Sequence, residues 1–210
     1  HRVTLDAKVL AQSQAYVDAV IADTESGIYN SWGVPLIGTE EFIETYLDAE
    51  VLPDVTVAVI DTGINPSPEL FAGRILEGGI NISDSGDDTV NDDLYHGTHV
   101  TGTICEMTPK NVKILPIKVF DEEGSASDEQ IYLGVMHAIE QKADIVNMSF
   151  GGLGVSPLEI EAMEIADENG MICCAASGNS GDDAGYYYPG SIESCITVGA
   201  VTKDMERATF

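Results

Sequence analysis

VTVAVIDTGI, residues 55–64, decides the architecture. Its first six residues are β-branched or small, the texture of a strand buried on both faces of a parallel sheet, and the run stops at Asp61. Four later runs share that texture: VKILPIKVF at 112–120, ADIVNMSF at 143–150, MICCAAS at 171–177 and SCITVGAV at 194–201. Helical patterns with clear starts lie between them. Ser127 and Gln130 make a capping box ahead of Ile131, Val135, Ala138 and Ile139, while Ser156, Pro157 and Glu159 open a helix carrying Leu158, Ala162, Ile165 and Ala166. This alternation predicts an α/β fold, a three-layer, mostly parallel, doubly wound sheet.

Upstream the texture differs. Leu5, Val9, Tyr16, Val17, Val20 and Ile21 recur at helical spacing up to Gly27, so residues 1–27 read as one amphipathic helix appended to the core. After a turn over 30–35, Thr39 with Glu40, Glu41 and Phe42 starts a second, acidic helix that runs to about Glu50, and Pro53 closes it. The first residue is His1 rather than Met, which reads as a cut end.

The 210 residues carry 36 acidic and 9 basic side chains, a net charge of −27, with 44% hydrophobic content. That is enough apolar material for a real core, so disorder is excluded. Such a negative surface repels phosphate, which argues against nucleic acid and anionic membranes as partners. No apolar run reaches the roughly 18 residues of a membrane span. Cys105, Cys173, Cys174 and Cys195 form no CxxC pair and read as buried thiols, with the vicinal pair on opposite faces of a strand.

In an open parallel sheet the ligand site lies outside the carboxyl ends of the strands. Asp61, Ser149 and ASGNSG (176–181) stand there. Asp61 alone is also good turn chemistry before Thr-Gly. HGTHVTG, 96–102, adds two histidines three apart, which could be half a zinc site. No HExxH accompanies them, and His1 and His137 lie in unrelated segments. An imidazole at a helix start facing a carboxylate at a strand end suits general-base work better.

VAVIDTGI, HGTHVTG, NMSFGG, AASGNSG, YYPG and ITVGAV followed by ERATF resemble, in order, the motifs of the subtilisin-like serine proteases, the subtilases, over residues 30–210. The resemblance implies a serine endopeptidase acting on polypeptides by an Asp-His-Ser triad. Asp61 would hold His96, His96 would be the base, and Asn179 would donate to the oxyanion. His99 would hold its helix against the sheet. The backbone of Ser125, Ala126 and Ser127 and of Ser149, Phe150 and Gly151 would pair with an extended substrate, with Ala176, Ser177 and Gly178 completing the cleft. Tyr186, Tyr187 and Tyr188 fall at the floor of the primary specificity pocket, where they either narrow it or simply pack.

In the family the nucleophilic serine opens a helix in a GTSMA-like motif, beyond the segment that ends here at Phe210. Ser149, Ser177 and Ser180 lack a GxSxG elbow, so residues 1–210 alone are expected to form no acyl-enzyme. The implied organisation is an N-terminal helical extension, 1–29, and an N-terminal portion of the catalytic domain, 30–210, whose sheet is incomplete at the C-terminus. Uncovered apolar surface would then leave the chain aggregation-prone or dimeric. The stretch from His99 to Lys118 is too short for the family's tight calcium loop, and SDSGDDTVNDD (83–93) lacks EF-hand spacing and reads as a solvated acidic loop, so no metal is assigned and calcium stays open. The resemblance and the charge favour a secreted or cell-surface protein, while free thiols keep an intracellular form open. Two rivals stand beside this reading: an inactive protease-fold protein with a binding or regulatory role, and a nucleotide-binding domain, weakened because no GxGxxG or GxxxxGK[ST] follows any strand.

Overall fold

The computed structural model describes residues 2–22, 32–39, 41 and 52–210. In chain order its main elements are β1 (Arg2–Thr4), α1 (Ala7–Ala22), β2 (Val55–Asp61), β3 (Ile80–Asn81), α2 (His96–Met107), β4 (Val112–Lys118), β5 (Ser125–Ser127), α3 (Asp128–Glu140), β6 (Ile145–Met148), β7 (Gly152–Leu153), α4 (Pro157–Glu168), β8 (Ile172–Ala176), β9 (Tyr187–Tyr188) and β10 (Cys195–Val198). A single helical turn stands at Gly33–Leu36, and the acidic helix expected from Thr39 to Glu50 lies largely outside the described residues.

Six strands form one all-parallel sheet of order β10-β8-β6-β2-β4-β3. Each predicted apolar run supplies one of its strands. Alternation along a strand then divides the core in two. Ala58, Ile60, Leu115 and Ile117 point to one face, where Ile131, Val135 and Ala138 of α3 and Ala162, Met163 and Ala166 of α4 cover them. Val57, Val59, Val112 and Ile114 point to the other, against Cys105 of α2 and Phe71. Helices on both faces of a parallel sheet make the expected three layers. Each fully buried Ile or Val contributes roughly 1.5–3 kcal/mol, and cutting Ile117 to Ala would cost roughly 2–5 kcal/mol.

β2 is the first strand of this sheet in chain order and lies between the two directions of winding. From it the chain goes through α2 to β4 on one side, then through α3 to β6 on the other. The C-terminal ends of β2 and β6 therefore flank the switch point at which such sheets bind ligands.

The first 27 residues are not one helix. Arg2–Thr4 is extended and pairs antiparallel with Ser125–Ser127, because a β-branched Val-Thr pair beside an unpaired edge gains more as a strand than as a helix start. The helix begins only at Ala7, after Asp6 accepts the Lys8 N–H at 2.7 Å, and it packs against α2. The cysteines are all free; Cys105 and Cys173 are buried as expected, whereas Cys174 and Cys195 are only half-buried.

Candidate active site

Asp61 is the last residue of β2 and is fully buried. Its Oδ1 accepts the N–H of Thr62 at 2.7 Å and lies 2.7 Å from Nδ1 of His96, while Oδ2 has no hydrogen-bond partner. His96 opens α2 and is 6% exposed. It can come this close only because residue 97 is glycine: a Cβ there would lie 2.2 Å from the carbonyl of Gly63 and 3.2 Å from Cβ of Asp61. Tyr95, just ahead, takes the left-handed conformation at φ 63°, which turns the chain into the helix.

Burial is the largest single influence on His96 and works against the imidazolium, but the charge and hydrogen bond of Asp61, with the charge of Asp92, together exceed it. His96 therefore titrates above an ordinary histidine. His99 moves the other way, through burial and the repulsion of His96. Its Nδ1 lies 3.3 Å from the Ser13 hydroxyl of α1. That contact reaches the N-terminal helix, because positions 96 and 99 share a helix face and α1 packs beside it.

Asp92 belongs to the acidic stretch expected to be a solvated loop, but the structure places it in the interior at 7% exposure. Its Oδ1 accepts from the Thr62 hydroxyl (2.7 Å), Leu94 N–H (3.1 Å) and Tyr95 N–H (2.8 Å), and its Oδ2 from the N–H (2.8 Å) and hydroxyl (2.6 Å) of Thr98. Thr62 also accepts the Gly97 N–H at 2.8 Å. One carboxylate thereby joins the end of β2 to the start of α2 and fixes the distance between Asp61 and His96. The signal was present in sequence: an acid a few residues ahead of a helix is capping chemistry. Lys118, across β4 from Asp61, closes the other side by donating to the Thr62 carbonyl at 2.8 Å.

Ser149 follows β6 and its hydroxyl accepts from Asn147 Nδ2 at 2.9 Å. Both border a cavity of about 340 Å³ beside His96, roofed by Val9, Gln12 and Ser13 of α1. Phe150 is buried edge-on against Phe120, centroids 5.2 Å apart, and Gly151 leads into β7. Ala176 ends β8 and Ser177 and Gly178 follow it at the same end of the sheet, with Ser177 N–H donating to the Val198 carbonyl at 3.0 Å. Gly178 has φ 94°, and a Cβ on it would meet the Tyr187 ring at 2.8 Å. Tyr187 is thus packed and buried, Tyr188 half-buried in β9, and Tyr186 exposed. Asn179 is exposed beyond Gly178 and does not border the cavity beside His96. Among the described residues no three of His, Cys, Asp and Glu stand together as a metal set.

The edge expected to receive substrate is already taken. Arg2 faces Ser127, Val3 faces Ala126 and Thr4 faces Ser125, and the Leu5 N–H donates to the Gly124 carbonyl at 2.8 Å. The Thr4 and Ser125 hydroxyls lie 3.0 Å apart. Nothing local in RVT announced this, since a three-residue strand has no period to read.

The Subtilase family model matches residues 53–210. A Subtilisin-like protease 1 of Arthroderma gypseum is 32% identical over 99% of this chain and 45% of its own length, and one of Trichophyton rubrum is 31% identical over 99% and 43%. The chain therefore spans under half the length of these relatives. The crystal structure of a cold adapted subtilisin-like serine proteinase superposes with a TM-score of 0.64 at 34% identity, covering 75% of this chain and 59% of that one.

Proposed function

The chain belongs to the subtilase family, and from that premise we propose that it supplies the aspartate and histidine of an Asp-His-Ser triad to a serine endopeptidase that hydrolyses polypeptides. The observation that carries the reading is the buried 2.7 Å contact between His96 Nδ1 and Asp61 Oδ1 at the switch point of the sheet. With Nδ1–H donated to Asp61, Nε2 is left as the base. It takes the proton of the attacking serine hydroxyl, the imidazolium is held by Asp61, and the proton is returned to the leaving amine. Asn179, on the loop after β8, would donate its amide to the oxyanion, a contact worth roughly 3–4 kcal/mol of barrier in the general subtilisin example.

The serine lies outside residues 1–210 on this reading. Ser149 shares the cavity with His96 yet is held by Asn147 and sits on the cleft wall. The substrate lies as a strand on β5, in the place of β1, with Ser149–Gly151 on its other side. Residues 1–29 are then an extension whose β1 takes the substrate edge, and 30–210 most of the catalytic domain. A net charge of −27 fits a secreted or surface setting, and among the described residues no helix is long and apolar enough to cross a membrane. A binding role without catalysis finds no support in the site or the relatives.

A fluorophosphonate probe tests this. It should label the complete protein at a serine beyond Phe210 and leave residues 1–210 unlabelled. Labelling of Ser149, Ser177 or Ser180 would overturn the assignment.

A further inference from the structure

The two helices on the cleft side of the sheet each begin their buried face with an acid. On α3 the inward residues are Asp128, Ile131, Val135 and Ala138; on α4 they are Glu159, Ala162, Met163 and Ala166. Spacings of three and four put each acid in line with the apolar residues that follow it. Ser156 joins the two acids: its hydroxyl donates to Asp128 Oδ2 at 2.8 Å and accepts the Glu159 N–H at 3.2 Å. Glu159 is 1% exposed, and neither of its carboxyl oxygens has a hydrogen-bond partner. A carboxyl group left this way is expensive, so natural interiors rarely keep one without a use.

The cleft runs directly to it. β5 ends at Ser127, one residue before Asp128, and Arg2 pairs with Ser127, so a strand lying on β5 passes the starts of α3 and, through Ser156, of α4. Arg2 and Thr4 face solvent, whereas Val3 between them is 1% exposed and belongs to the same core cluster as Ile131, Val135, Ala162 and Met163. Any peptide that takes the place of β1 must put one side chain where Val3 is.

We infer that Glu159, supported by Asp128, forms a cation subsite for the substrate side chain that replaces Val3, so that lysine or arginine is favoured there over an aliphatic residue of similar length. The methylene stem lies along the apolar stripe of α3 and α4, and the charged head reaches the carboxyl groups at the helix starts. Valine fills only the apolar part. Burial, then the charge of Asp128, pushes the Glu159 carboxyl up to about 7, against a smaller lowering by the amino-terminal charge, so a cation brought close is stabilising there. The peptidase reading enters only in naming the ligand as substrate.

The subsite can be tested without catalysis. In the 210-residue chain Val3→Lys is compared with Val3→Met by thermal melting, each in the natural background and with Glu159→Gln. Val3→Lys should melt at or above Val3→Met in the natural background and clearly below it with Glu159→Gln. If Val3→Lys melts below Val3→Met by the same margin in both, or does not fold where Val3→Met does, the subsite is overturned. In the complete protein, kcat/KM for peptides with lysine at this position should exceed that for norleucine by roughly tenfold, and Glu159→Gln should abolish the difference. Equal cleavage of both peptides overturns the subsite and leaves the peptidase reading intact. Absence of cleavage of any peptide overturns the peptidase reading, while the melting comparison still decides the subsite.

Discussion

Asp92 and Glu159 are both carboxyl groups shut away from water, and they differ in everything else. Asp92 lies in the loop between β3 and α2 and receives five hydrogen bonds from backbone and hydroxyl donors. Glu159 lies in the first turn of α4, and its oxygens receive none. The first is a structural joint whose charge is fully solvated by the protein itself. The second is an acid on an apolar stripe, and burial raises its pKa to about 7. Burial alone says little about what an acid does; the donors around it decide.

The largest effect should come from breaking the satisfied member. Asp92→Ala orphans donors on Thr62, Leu94, Tyr95 and Thr98 and should cost about 4 kcal/mol, seen as a fall of roughly 10 °C in melting temperature. A loss below about 1 kcal/mol would mean that the network does not hold β2 to α2.

Glu159 should respond to pH instead. Its folded pKa is raised, so the folded state binds the proton more tightly than the unfolded one, and stability is greatest below the ordinary carboxyl value of 4.5 and declines as pH rises through about 7. Relative to Glu159→Gln, the natural chain should lose roughly 3 kcal/mol between pH 4.5 and 8, measured by denaturant unfolding at several pH values. Parallel pH profiles for the two proteins would refute the orphaned state of this acid.

Asp61 falls between the two, with one oxygen doubly engaged and the other unpartnered. His96 titrates above 6.5, so the stabilisation from its pair with Asp61 is complete below that value and is lost as pH rises through the folded pKa. Asp61→Asn should lower the His96 pKa in an NMR titration and remove about 1–2 kcal/mol of stability at pH 6. An unchanged titration would show that Asp61 does not hold the ring.

The smallest contrast is between the two helix caps. Ser127 and Gln130 close both halves of a capping box, whereas Ser156 receives the Glu159 N–H and gets no return bond from the Glu159 carboxyl. Ser127→Ala should cost about 1 kcal/mol. Ser156→Ala should cost at least as much, because Asp128 also loses a donor.

What could be read from the chain alone follows the range of the forces involved. β2, β4 and β6 were visible because strands in the middle of a covered sheet write themselves as unbroken apolar runs, β8 and β10 because they carry the same texture although Ile172, Ile196 and Val198 are exposed, and α3 and α4 because their caps are local chemistry. Asp61 and His96 were found as polar residues where such runs and helices meet. Asp92 was hidden among four other acids in residues 83–93, since nothing in the composition separates a buried acceptor from a solvated one, and one of its donors, Thr62, lies thirty residues away. The pairing of β1 with β5 was hidden for the same reason, joining segments more than 120 residues apart. Glu159 was recognised as a helix-start residue, and its isolation depends on α3, which the sequence does not place beside it.

The strand on β5 also sets a threshold for any competitor. A segment joined covalently to its own cleft faces it at an effective concentration that can reach the millimolar range. A free peptide at micromolar concentration must therefore bind far more tightly than β1 does before it gains the edge. Cutting the chain between α1 and β2 removes that advantage at once, while every residue that β1 and β5 pair remains in place.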